Sequence, residues 1–309
     1  MKISVQTGGA CDVLGVDAGM RAIREAGFDA VDFGGLCDHY PWEDAQKEKR
    51  CAFFDDEEGL SAMMREYADA AKKYGLEFGQ FHAPFPSYYP RKPVATEIAQ
   101  EMIRKSIALC GEVGCPRIVI HPCFDGSARF PSMTKEQEYR LNIEFYSSMI
   151  PLLKKYNVTC CLENMWIEDW KSKKIYTGCC SDMREACRYI DDLNAIAGEK
   201  RFGFCLDIGH LILLGLDPCY AMAELGDRLI ALHIHDNDGV HDTHTLPYVG
   251  LCNWNRFIKG LRELGYKGTL NLETSGFNGA FPKELVPDAL KLLGATARYF
   301  SERAEAKTE

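Results

Sequence analysis

Several features common in chains of this length are missing here. No stretch of about 18 consecutive apolar residues occurs, which excludes a membrane-spanning helix of ordinary length. From Met1 the chain runs straight into the strand-like alternation Lys2-Ile3-Ser4-Val5-Gln6, without the apolar region and small-residue cleavage site of a secretory leader. A cytoplasmic protein without a membrane partner is therefore expected. Basic residues are in deficit: 36 Lys and Arg against 45 Asp and Glu give a formal charge of −9. That balance speaks against nucleic acid as the main partner, since binding its backbone calls for a basic face that releases counterions. Fourteen cysteines are present, yet they are scattered and include no C-x-x-C pair. Reduced thiols behaving as small hydrophobes are expected, rather than a disulfide framework or a thiolate metal site. Linkers, low-complexity segments and Gly-rich phosphate loops are also lacking.

What the chain does contain is a short apolar run followed by an amphipathic stretch, repeated eight times. Strands are expected near 3–7, 30–33, 77–82, 117–121, 159–163, 202–207, 229–233 and 269–273. Helix signals punctuate the intervals: Asp17 and Ser181-Asp182 at starts, Gly27, Gly75, Gly198 and Gly265 just past ends. Eight strand–helix repeats over 309 residues, with 46% hydrophobic content, predict one α/β domain spanning 1–309. A closed parallel (β/α)8 TIM barrel fits this pattern better than an open doubly wound sheet.

Seven of the eight histidines fall at or just after these strand ends. Strand three ends in Gln80-Phe81-His82-Ala83-Pro84, strand four in Ile120-His121-Pro122, strand five in Leu162-Glu163-Asn164, and strand six in Leu206-Asp207-Ile208-Gly209-His210. Strand seven gives His233-Ile234-His235-Asp236-Asn237-Asp238, its loop gives Asp242-Thr243-His244, and strand eight ends in Leu272-Glu273-Thr274. Taken singly, a strand-end histidine is more often structural. Jointly, acidic or imidazole groups at six consecutive strand ends of a parallel barrel meet at one mouth, where like charges demand a cation. Mixed oxygen and nitrogen ligands suit Mn2+, Zn2+, Fe2+ or Co2+ better than Ca2+, and the absence of thiolate argues against a closed structural zinc site.

These motifs resemble the xylose isomerase-like superfamily, specifically its sugar phosphate isomerase/epimerase family, related to tagatose 3-epimerase, inosose enzymes and endonuclease IV. The resemblance covers nearly the whole chain. It rests on His-Ala-Pro at 82–84, His-Pro at 121–122, Leu-Glu-Asn at 162–164, Leu-Asp-x-Gly-His at 206–210, His-x-His-Asp-Asn-Asp-Gly at 233–239 and Asp-x-His at 242–244, leading to Gly250 and Trp254. It implies a metal site of Glu163, Asp207, His233 and Glu273. His233 stands to Asp236 as a ligand histidine stands to an Asp in relatives; His235 bears the same relation to Asp238, and both would share a strand face. The endonuclease-type arrangement would add His82, His121, His210, Asp242 and His244 as further metal or substrate ligands. One divalent ion (Mn2+, Zn2+, Co2+, Fe2+ or Mg2+) is expected, with room for up to three.

The resemblance further implies a metal-dependent sugar, sugar phosphate or inosose isomerase or epimerase of carbohydrate metabolism. Glu163 and Glu273 would move a proton beside a carbonyl through an enediolate stabilised by the metal. His210 would hold a substrate oxygen. The arginine that ketohexose epimerases tend to carry after the strand-seven histidine is absent, the stretch reading Asp238-Gly239-Val240-His241. Specificity is expected from the loops after strands two, three and five, which carry Trp42, Phe53, Phe85, Tyr88, Tyr89, Trp166 and Trp170. Lys92, Arg91 and Arg129 could meet a phosphate. Two alternatives belong to other classes: a lyase or glycoconjugate-cleaving enzyme, and an endonuclease IV-like phosphodiesterase. The second conflicts with a rim carrying Asp38, Glu43, Asp44, Asp55, Asp56, Glu57 and Glu58. A small-molecule carbohydrate is thus the expected partner, and relatives imply by analogy a homo-oligomer.

Overall fold

The protein is described by a computed structural model in which residues 1–306 are placed, Asp38 by its backbone alone. Its barrel strands are β1 Ile3–Gln6, β2 Ala30–Phe33, β3 Glu77–His82, β4 Arg117–Val119, β5 Thr159–Glu163, β6 Phe202–Asp207, β7 Leu229–His233 and β8 Leu270–Leu272. They form one sheet in the order β8-β1-β2-β3-β4-β5-β6-β7, so each strand neighbours its predecessor in the chain. Just beyond β7, Ile234 bridges Leu272 of β8 in parallel. There the Ile234 N–H donates to Asn271 O at 2.9 Å and the Glu273 N–H donates to Ile234 O at 3.1 Å. The eight-stranded order and this parallel seam are those of a (β/α)8 TIM barrel.

Such strands are covered on both faces and read as nearly continuous apolar runs. All four residues of β2 and all six of β6 are buried. Polar exceptions inside this frame stand out: Ser4, Asp32, Glu163, Asp207, His233 and Asn271 are all buried strand residues. A short antiparallel hairpin, Trp166–Glu168 with Ile175–Thr177, follows β5, where a plain loop was expected. Three residues per strand are too few for an alternation to show in sequence.

The residues fall into two compact sets. The first comprises Met1–Phe33, Glu66–Gly79 and the chain from Cys205 onward. In it β1 pairs with β8 (Ser4 opposite Asn271) and with β2 (Val5 opposite Val31). Helix Trp254–Leu264 buries Trp254, Phe257, Ile258 and Leu261, the spacing of one helical face. Trp254 stacks on Phe300 at 5.0 Å between centroids. The second set comprises Gly34–Arg65 and Gln80–Phe204. Here β4 pairs with β3 and β5 (Ile118 opposite Phe81 and Cys160). Helix Lys135–Ser147 opens with a capping box between Thr134 and Gln137.

Four expectations shift, the first being β1, which ends at Gln6 rather than Thr7. Asp17 lies inside helix Val16–Glu25, whose N-cap is Gly15, and its carboxylate is engaged by Lys73 Nζ at 2.6 Å and Tyr74 Oη at 2.9 Å rather than by a helix amide. β4 ends at Val119, short of His121, although the Ile120 N–H still reaches Cys161 O at 3.0 Å; Pro122 has no N–H to extend the ladder. β8 is likewise one residue shorter at each end. Asp182 does cap helix Met183–Ala197, and Gly198 closes it in the left-handed conformation. The fourteen cysteines are free thiols, mostly buried. Among the described residues no helix is long and apolar enough to cross a membrane.

Gly294, in helix Val286–Glu305, sits against the backbone carbonyl of Ala26 so tightly that a Cβ there would collide with it. Gly294→Ala should cost about 1–3 kcal/mol through forced separation of packed backbone. Urea denaturation would show this as a lower midpoint; an unchanged midpoint would contradict the packing described.

Candidate metal and catalytic site

In the first unit the site is built from the C-terminal ends of β6, β7 and β8. Asp207 is both the last residue of β6 and the N-cap of helix Ile208–Leu213, its Oδ1 accepting from the His210 N–H at 2.6 Å. Oδ2 faces the other way, 3.2 Å from His235 Nε2 and 3.7 Å from His233 Nδ1. His233 Nδ1 is also 3.3 Å from Glu273 Oε2. Gln6, at the end of β1, donates from Nε2 to Glu273 Oε1 at 3.2 Å. Asp207 and His233 are 0% exposed and Glu273 only 6%. Two buried carboxylates thus converge on one imidazole nitrogen. Burying such charge without a cation is costly, and the donor set of two carboxylate oxygens and one imidazole fits a divalent ion of the Mn2+ or Zn2+ type.

A second layer lies beside it. Asp242 Oδ2 is 3.2 Å from His210 Nε2 and 3.4 Å from His244 Nε2. Burial works against the Asp242 anion, but His210 and His244 outweigh it and hold its carboxyl well below the usual range. His244 stacks on His235 with centroids 4.0 Å apart and planes 9° off parallel. Burial disfavours charged His244 as well; the Glu273 and Asp242 carboxylates reverse this and lift it to about 9. Gly209 is required here, because any Cβ would run into the His235 ring. His235 Nδ1 is buried and makes no hydrogen bond among the described residues. His235, His244 and Glu273 offer ligand atoms within 4.8 Å of one another.

The second unit carries its own group at the ends of β3, β4 and β5. Glu163 Oε2 lies 3.2 Å from His121 Nε2 and 3.8 Å from His82 Nε2. These three side chains also offer ligand atoms within 4.8 Å of one another. Cys37 Sγ stands 3.5 Å from His82 Nδ1. Burial opposes a charged His82, but Cys37 and Glu163 together push its pKa well up. Phe85 stacks on the His121 ring at 4.9 Å.

All ten singled-out residues therefore fall into these two groups: Asp207, His210, His233, His235, Asp242, His244 and Glu273 in one, His82, His121 and Glu163 in the other. Reading the sequence missed Asp32, Gln6 and Cys37, which touch them, and misjudged Asp236, read only as a spacing mark for His233. Asp236 is fully buried and its carboxylate accepts four N–H bonds: from Asn237 N at 3.0 Å, Tyr248 N at 3.0 Å, Cys252 N at 3.1 Å and Trp254 Nε1 at 2.9 Å. It ties down the loop that presents Asp242 and His244. Three of its donors lie 12–18 residues further on, beyond the reach of a motif. A separate group, Glu138, Cys179 and Glu185, also has ligand-like spacing. Lys135 Nζ already compensates it, at 2.7 Å from Glu138 and 3.5 Å from Glu185.

Comparison with known proteins bears on what this arrangement is. The family model described as xylose isomerase-like TIM barrel matches residues 20–296. A curated relative, the uncharacterized protein y4fM of Sinorhizobium fredii, is 42% identical over 72 residues, 23% of each chain, so the match spans about a quarter of that relative's length. Among solved structures, 3-keto-D-glucoside 4-epimerase YcjR from E. coli superposes with a TM-score of 0.70 at 18% identity, covering 97% of this chain and 99% of that one. A D-tagatose 3-epimerase-like protein gives a TM-score of 0.66 at 21% identity, covering 96% and 99%. At these identities the likeness is one of fold.

Asp236→Ala should free the 238–253 loop while leaving the strands in place, costing about 3 kcal/mol for the lost bonds to a charged acceptor. Hydrogen exchange would report it: the Tyr248 and Cys252 amides should lose protection before any amide of β6 or β7. Equal loss everywhere would show that Asp236 supports the whole barrel instead.

Proposed function

The chain belongs to the xylose isomerase-like TIM barrel family, and we propose that within it the protein is a divalent-metal-dependent sugar isomerase or epimerase. The observation that carries this reading is the convergence of Asp207 Oδ2 and Glu273 Oε2 on His233 Nδ1, at 3.7 and 3.3 Å, in a buried site. Those three side chains would hold the ion. Glu163 would complete the set, since a parallel barrel delivers the C-terminal ends of its strands to one mouth. His233 is preferred to His235 as ligand because its Nδ1 faces both carboxylates, whereas His235 is committed to Asp207 and the His244 stack.

When bound, the ion would supply Lewis acidity to a carbonyl and a neighbouring hydroxyl of the substrate. The proton work falls to the chain itself. Glu163 and Glu273 act as the pair of carboxylates, one removing the proton beside the carbonyl and the other returning it. Gln6 steadies the oxygen of Glu273 that points away from His233. His210, whose ring lies against Asp242, holds a substrate oxygen. Carbohydrates are also the substrates named for two solved structures of like fold, and the exposed Phe85 beside His121 offers an aromatic face of the kind that stacks on sugars.

One observation favours a second reading, a phosphodiesterase with additional metals: Asp242 stands between His210 and His244 as a bridging ligand would. The rim weighs against it. Asp44 and Asp55 take up Lys49 and Arg50, leaving those cations paired rather than presented to a phosphate backbone.

Protein purified without chelators should carry about one divalent ion per chain. In D2O, NMR with a panel of keto-sugars, inososes and 3-keto-glucosides should show deuterium entering beside the carbonyl. Glu163→Gln and Glu273→Gln should each slow that exchange about 10²- to 10⁴-fold. Two or three ions per chain, no exchange on any sugar, and nicking of abasic DNA would overturn the proposal in favour of the phosphodiesterase.

A further inference from the structure

The loop after β4 and the hairpin after β5 enclose a cavity that the proposed proton transfer does not use. It measures about 400 Å3 and is lined by Asp125, Met133 and Lys135 from the loop and the start of the next helix, and by Ile167, Tyr176 and Thr177 from the hairpin. Cavities of this size hold small organic ligands. The walls are braced: Asp125 accepts from the Ser127 and Ser132 N–H groups at 3.1 and 2.5 Å, and Arg129 Nε crosses to Asp169 at 2.8 Å. Both walls also start from the candidate site. The loop directly follows His121, the hairpin begins three residues after Glu163, and those two side chains lie 3.2 Å apart. Ile167 is four residues beyond Glu163, so the backbone of this wall lies within about 14 Å of that of the carboxylate residue.

The lining says what would bind. Tyr176, 46% exposed, and Ile167 offer apolar surface, while Ser127 and Thr177 bring hydroxyls. A pyranose ring matches such a mixture, its C–H face packing on an aromatic ring and its O–H edge meeting polar groups. Charge selects further. Lys135 is the only cation among the described lining residues, against Asp125 and Glu138, and it is already engaged by Glu138 at 2.7 Å and Glu185 at 3.5 Å. A phosphate or carboxylate would meet net negative charge there; a neutral sugar would not. We propose that this cavity is a subsite for a neutral glycosyl unit, and hence that the substrate is a keto-glycoside of at least two sugar units rather than a free monosaccharide. The substrate assignment rests on the isomerase or epimerase reading above, whereas the cavity and its lining are in place without the ion.

Met133 supplies a reporter that needs neither metal nor turnover. In full-length protein carrying 13C-methyl methionine, its signal is assigned by its absence from Met133→Leu. Titration with maltose, cellobiose, lactose and trehalose should shift that signal with at least one of them; glucose should shift it less, and inorganic phosphate not at all. Tyr176→Ala should weaken this binding about 3- to 10-fold, and Tyr176→Phe should keep it. Should Tyr176→Ala not fold, Thr177→Trp, which fills the cavity from an exposed position, should abolish the shift. In D2O, the 3-keto derivative of the bound disaccharide should exchange its proton with a KM that Tyr176→Ala raises and a kcat that it leaves alone. A Met133 signal that no disaccharide moves, or that phosphate moves equally, or that responds equally in the alanine variant, overturns the subsite even where free keto-sugars exchange. Disaccharide shifts at Met133 with no exchange on any sugar would instead sink the isomerase reading, and with it the substrate assignment, while leaving the subsite.

Discussion

The constraint that organises the first unit is the need to answer buried negative charge. Asp32, Asp207, Asp236 and Glu273 are carboxylates removed almost wholly from water, and each is answered differently. Asp236 is saturated by neutral N–H donors, three of them main-chain. Asp32 has Asn271 on one oxygen and an imidazole near the same atom. Asp207 takes a helix N-terminal amide and two imidazoles, and Glu273 an amide side chain and the imidazoles of His233 and His244. The first two have settled partners suited to permanent structure. The last two meet at one nitrogen of His233, the grouping on which the proposed ion site rests.

Much of this was legible in the chain, and for definable reasons. Strands buried on both faces are written as apolar runs, so such runs mark all eight in the sequence, and a His, Asp or Glu at the close of one is conspicuous. Asp207 and His210 could be read together because cap and turn fix their spacing locally. Asp32 was hidden for the converse reason. In Ala30-Val31-Asp32-Phe33 it reads as an ordinary alternating polar residue, and its partners are about 200 and 240 positions away. No local pattern records a contact made by barrel closure. The hairpin after β5 escaped because each of its strands is three residues long.

That hairpin shows how the second unit frames its own group of side chains at the ends of β3, β4 and β5. It begins three residues after Glu163, and Asp169 at its turn end is held by Arg129 Nε at 2.8 Å and Ser172 Oγ at 2.7 Å. The guanidinium beside Asp169 holds that carboxyl well below the usual range. The brace joins the loop after β4 to the hairpin and leaves Phe130 and Trp170 strongly exposed, at 81% and 75%. Rigid backbone beneath exposed rings is an arrangement in which side chains can be exchanged without disturbing the carboxylate and histidines at the strand ends.

The loop anchored by Asp236 carries the same idea further. Because Asp236 grips it chiefly through backbone amides, most of its side chains contribute nothing to the grip, and Gly250 stands out as the position where a Cβ would strike Asn237 and Asp236. Sequence drift at its exposed positions, such as Val240 and Val249, is therefore less costly to folding than drift at buried Leu246. Over evolutionary time such positions can change while Asp242 and His244 keep their places.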